Sequence, residues 1–132
     1  MTYQKIATLA VFVLSAVFIS TSTAEELGNR KEIKRSDLAS APGMEVITSI
    51  IEFEPGFFIK RHFHHGIETG YFIQGGTLQP PGKEPITVTA GTPFLTENGV
   101  PHGGATVIGD ETIKVFTVHI VEKDKPLYEW VK

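Results

Sequence analysis

From Met44 onward, short runs rich in β-branched and aromatic residues follow one another: "MEVITSIIEFE", "FFIKRHFH", "ETGYFIQG", "TLQ", "ITVTAGTPFLT" and "TIKVFTVHIV". Between them lie "EPG", "HHG", "QPPGKEP", "ENGVPHGG" and "IGDE", each with a glycine, a proline or an Asn-Gly pair that favours a turn. Runs and turns recurring at roughly ten-residue spacing predict a β-sandwich or barrel. No stretch beyond the first residues holds a helical period, so the predicted fold class is all-β. In the last run Phe116, Val118 and Ile120 share one face and Val115, Thr117 and His119 the other, and the pattern leaves open which face is inside.

The two ends of this pattern set the predicted boundaries. Lys5 precedes "IATLAVFVLSAVFI", shorter than the ~20 apolar residues a membrane span needs but suited to a signal-peptide core. Ser22 and Ala24 then occupy the positions a signal peptidase reads, which predicts cleavage after Ala24 and a periplasmic or secreted product with no stable membrane insertion. The stretch 25–41 is polar and aperiodic and reads as an N-terminal arm able to add an edge strand. Residues 42–132 are expected to form one domain, long enough for a single core.

Charge and cysteine content narrow the chemistry. The chain has 12 Lys and Arg against 15 Asp and Glu, and losing Lys5 with the leader takes the net charge from −3 to −4, which disfavours nucleic acid as a partner. With no cysteine, an exported chain has neither disulfide nor thiol chemistry, and any redox activity must come from a bound metal or cofactor.

Three of the five histidines fall in "HFHHG". On a strand, residues two apart share a face about 6.6 Å apart, so His62 and His64 can reach one metal ion at ~2.1 Å each. His65 points away or starts the turn at Gly66. Glu68 opens the next run, and a tight hairpin returns it opposite the pair. A fourth ligand must come from His102, in a loop between proline and glycine, or from His119, for which a surface or hydrogen-bonded role is the expectation.

These residues resemble the cupin family. Gly56, His62, His64, Glu68 and Gly75 match every spacing of its first motif, and Gly91, Gly99 and His102 match its second, with Glu97 in place of a proline and Thr106 in place of an asparagine. The resemblance runs from about Met44 to the C-terminus. It implies a single cupin β-barrel, the jelly-roll-like double-stranded β-helix, with one divalent transition metal held by His62, His64, Glu68 and His102. It also implies a homodimer paired through edge strands.

Three nitrogens and one carboxylate suit Fe, Mn, Zn, Ni or Co and leave one or two positions on an octahedral ion for a small-molecule ligand or substrate. The leading expectation is a metal-dependent enzyme of dioxygenase, isomerase or lyase type acting on a small organic molecule. A non-catalytic module for a small ligand or metal, and an interaction protein whose barrel the metal staples, are the alternatives. Lys60 shares the parity of His62 and would face the metal on an unbroken strand, holding an anionic substrate. Phe72 and Gln74 share the face of Glu68 and are candidate wall residues. Glu97 is a candidate base if its loop turns inward, and His119 a candidate pocket residue.

Overall fold

The computed structural model describes residues 27–132; the predicted leader and the first two residues of the arm lie outside them. Eleven strands follow in order: β1 Asn29–Asp37, β2 Met44–Phe53, β3 Phe58–Ile59, β4 His62–Phe63, β5 Gly66–Gln74, β6 Gly76–Gln79, β7 Ile86–Val88, β8 Pro93–Thr96, β9 Ala105–Ile108, β10 Ile113–Glu122 and β11 Glu129–Trp130. They form a five-stranded sheet ordered β1-β2-β10-β5-β8, a four-stranded sheet ordered β3-β9-β6-β7 and the short pair β11-β4. All pairings are antiparallel. The architecture is the all-β double-stranded β-helix that the run pattern and the motifs predict.

The core grows out of strict alternation. In β2 the odd-numbered residues from Glu45 to Phe53 are buried, and in β10 those from Ile113 to Val121. Ile47, Ile51, Val107 and Ile113 are almost fully enclosed, and removing each such side chain from water stabilises the fold by about 1.5–3 kcal/mol. This alternation decides what the sequence left open in the last run: Val115, Thr117 and His119 face inward, while Phe116, Val118 and Ile120 face out.

Polar residues 29–37 supply β1, an edge strand paired with β2. Its charged side chains discourage further strand pairing at that edge. Two of the anticipated runs are broken. "FFIKRHFH" divides into β3 and β4 at Lys60-Arg61, because the chain there turns to meet the loop carrying His102: the Gly104 N–H donates to the Ile59 carbonyl at 2.7 Å, and His62 and His102 exchange N–H···O bonds of 2.9 and 2.8 Å. "ITVTAGTPFLT" divides into β7 and β8 around a turn in which the Thr92 N–H donates to the Thr89 carbonyl at 3.2 Å.

Candidate metal centre

Four elements deliver side chains to one point inside the barrel. His62 leaves β4, His64 follows directly after it, Glu68 lies on β5, and His102 comes from the loop between β8 and β9. That loop is locked by its reciprocal backbone bonds to His62. Gly103 then continues at φ +78°, where a side chain's Cβ would press on the Lys60 carbonyl, so glycine is required for the chain to leave His102 in this direction. His62, His64 and Glu68 are buried and His102 is half-buried.

The imidazole rings are fixed in a way that suits metal ligation. The Nδ1 atom of His62 lies 2.7 Å from the Lys60 carbonyl, that of His64 2.6 Å from the Leu127 carbonyl, and that of His102 3.1 Å from the Val100 carbonyl. A carbonyl only accepts, so each Nδ1 carries a proton, and each ring in its neutral form turns the Nε2 lone pair to the interior. Histidines that ligate metals are oriented in this manner, by an outer partner on the second ring nitrogen.

The inward atoms have the spacing of a coordination face. His64 Nε2 is 3.3 Å from His102 Nε2 and 3.3 Å from Glu68 Oε2, and His102 Nε2 is 3.0 Å from the same oxygen. Donors bound at ~2.1 Å to one tetrahedral or octahedral ion stand roughly 3.0–3.4 Å apart. Ligand atoms of His62, His64 and His102 all lie within 4.8 Å of one another, as do those of His64, Glu68 and His119. His64, Glu68 and His102 thus stand at the spacing of ligands to one transition metal, and His62 joins them through His64 and His102.

His119 belongs to the cluster but stands differently in it. It pairs with Glu68 across β10 and β5 and is completely buried. Its Nε2 approaches the outer oxygen of Glu68, Oε1, at 3.3 Å. That approach is off-line, so neither ring nitrogen makes an aligned hydrogen bond, and Nδ1 lacks the carbonyl anchor of the other three. Tyr128 closes the cluster on the side of the C-terminal segment, its ring 5.3 Å from that of His62 and 5.5 Å from that of His64.

Burial opposes ionisation of Glu68, yet the hydrogen bond of His102 and the close approach of His119 and His64 outweigh it and hold the carboxyl well below its ordinary range. Burial pulls His62 down to about 4 and lowers His119. His102 is desolvated as well, but its bond to Glu68 prevails and raises it.

A cavity of about 190 Å³ opens from His62, Glu68 and His102 into the barrel, walled by Ile51, Phe53, Phe72, Phe94, Ile113 and Val115 among others. Of the anticipated pocket residues, Phe72 lines it. Gln74 is exposed and donates to Glu111 at 3.3 Å, and Glu97 is exposed on its loop; neither lines the cavity. Lys60 is turned outside by the break between β3 and β4 and lies 5.4 Å over the Trp130 ring. His65 also stays out of the cluster, 3.3 Å from Glu129. Sequence reasoning missed Thr96, Thr117, Tyr128 and the Leu127 carbonyl, whose roles depend on strand register and on where the C-terminal segment docks.

Known proteins share this architecture. A conserved protein with a double-stranded β-helix domain from Klebsiella pneumoniae superposes with a TM-score of 0.55 at 20% identity, over 78% of this chain and 83% of that one. An acetylacetone dioxygenase from Acinetobacter johnsonii gives 0.49 at 15% identity, over 91% of this chain and 80% of that one. KdgF from Halomonas sp. gives 0.44 at 18%, over 69% and 89%. No match to the sequence was found among curated proteins. The family model of the cupin domain matches residues 49–119, more than half of the chain, and this protein belongs to the cupin family.

Proposed function

We propose that this protein is an exported metal-dependent cupin enzyme that holds one divalent transition metal through His62, His64, Glu68 and His102 and acts on a small organic molecule in the adjoining cavity. The observation that carries the reading is the set of three histidines with Nδ1 tied to backbone carbonyls and Nε2 aimed inward. Export rests on the apolar run ahead of Ser22 and Ala24.

When bound, the metal supplies Lewis acidity or, as iron or manganese, access to dioxygen. The protein's own part is to hold the ligands, exclude water with the apolar wall and keep Glu68 ionised. Apart from the cluster itself, the described residues put no acid or base in the cavity wall, since Glu97 and Lys60 lie elsewhere. This favours oxygenation of a metal-bound substrate over isomerisation or elimination, which need a separately placed base. Stripping the metal and restoring Fe, Mn, Co, Ni and Zn one at a time, with oxygen uptake followed on a panel of small enolisable and phenolic compounds, tests the reading. Turnover tracking one metal supports it, and binding without turnover under every metal replaces it with the binding-module reading.

A second copy of the chain is the proposed partner. The outer face of the five-stranded sheet carries Ile67, Tyr71, Leu95, Phe116, Val118 and Ile120, with Leu95 62% and Tyr71 46% exposed. Exposed apolar side chains on one sheet face support association there, whereas β1 presents mostly charged side chains.

A further inference from the structure

We infer that the cavity selects a compact molecule with an apolar, uncharged body that presents two neighbouring oxygens to the metal, and that it rejects sugar acids and other polyhydroxylated or multiply anionic compounds. The inference rests on the metal-dependent reading above and deepens it.

Three features of the wall point to this class. First, among the described residues no lysine or arginine lines the cavity, and apart from the ligands the polar side chains there are Thr96 and Thr117. A carboxylate or a string of hydroxyls pushed into such a wall gives up its water without gaining partners, which is costly. Second, Glu68 supplies the one carboxylate of the lining, and with a divalent ion bound it leaves a single net positive charge, enough for one anionic oxygen of a ligand and not for further anionic groups. Third, the volume of about 190 Å³ is below the roughly 300–1,000 Å³ of sites for drug-sized ligands, so the occupant is small.

The two-oxygen head follows from ligand number. Three nitrogens and one oxygen leave two positions on an octahedral ion, and one bidentate molecule fills both. Thr117 adds one polar residue to the wall. It is 1% exposed, lines the cavity from β10, and its hydroxyl has no hydrogen-bond partner in the protein.

The test uses full-length mature protein loaded with Co(II), whose visible d–d bands report inner-sphere binding. It is titrated with three hydroxypyranones that share one ring and one pair of chelating oxygens and differ in one ring substituent: methyl, hydroxymethyl or carboxylate. Affinities are corrected for binding to free Co(II). The methyl compound is expected to bind about tenfold or more tighter than the carboxylate, with the hydroxymethyl compound between them. Equal or tighter binding of the carboxylate overturns the inference. So does the absence of any band shift in protein whose cobalt content is stoichiometric, and that result leaves the metal reading intact. Failure to take up cobalt removes both. As a counter-test, Leu78→Lys places a cation in the cavity wall and is expected to shift the preference toward the carboxylate; an unchanged order in the folded variant means the substituent does not enter this cavity and overturns the assignment.

Discussion

His119 and Glu68 face each other across β10 and β5, and they divide the carboxylate between them and the other histidines: Oε1 lies 3.3 Å from His119, while Oε2 faces His64 and His102. His119 is thus placed to orient the carboxylate from behind and leave a single oxygen for the metal. Loss of such outer-shell partners typically weakens metal binding about 10–100-fold. His119→Ala is expected to lower affinity by that order while keeping the coordination spectrum of the bound ion, and titration with a competing chelator measures it. Complete loss of metal, or a changed ligand count, would make His119 a ligand.

The loop bearing His102 provides a second prediction. Gly103 sits at φ +78° with the Lys60 carbonyl crowding the place a Cβ would take. Gly103→Ala should cost about 1–2 kcal/mol from the left-handed backbone alone. Because the strain is relieved by moving the neighbouring His102, metal affinity should fall along with the melting temperature. An unchanged affinity would show that His102 does not depend on this turn.

Acidity should destabilise the metal-free protein. His62, at about 4, and His119 are both lowered from the ordinary imidazole value, so the unfolded chain takes up their protons first. Their stabilising share is present above about pH 6.5 and is lost as pH falls, for His62 down to about pH 4. Glu68, lowered as well, keeps its share until pH drops below the ordinary carboxyl range. His102 is raised and works in the opposite sense, its share complete below about pH 6.5 and fading as pH rises through its folded value. Two lowered histidines against one raised give a net loss, so the melting temperature of metal-free protein should fall from about pH 7 to about pH 5. A flat or rising melting temperature across that window would contradict the assignment.

The outer sheet face should control association. Leu95→Lys with Tyr71→Lys puts two charges on its exposed centre and is expected to shift the protein from dimer to monomer by light scattering, with the metal content unchanged. A wild-type protein that is monomeric at micromolar concentration would remove the proposed pairing.

The all-β class was legible because β2 and β10 alternate over their whole length, and a period of two survives without tertiary information. His62 and His64 were legible through their spacing of two, although β4 ends at Phe63, and Glu68 was legible as a near neighbour in the chain; the hairpin expected between them is absent, since β4 pairs with β11 and β5 with β10 and β8. His119 was singled out as a candidate, but its contact with Glu68 was not legible, since nothing near it in the chain marks it. Its place opposite Glu68 comes from the register of β10 on β5, a contact between residues about fifty positions apart. The parity argument for Lys60 failed at a break caused by the His102 loop bonding to β3 and β4. Ala105–Ile108 escaped notice because four residues between glycines carry too little pattern to count as a strand.

The most direct measurement is the metal content of protein purified without added metal, wild type beside His64→Ala and His65→Ala. A stoichiometric divalent transition metal in the wild type and in His65→Ala, and its loss from His64→Ala, is the expected result. Metal absent from the wild type, or retained by His64→Ala, would contradict the centre described for this fold.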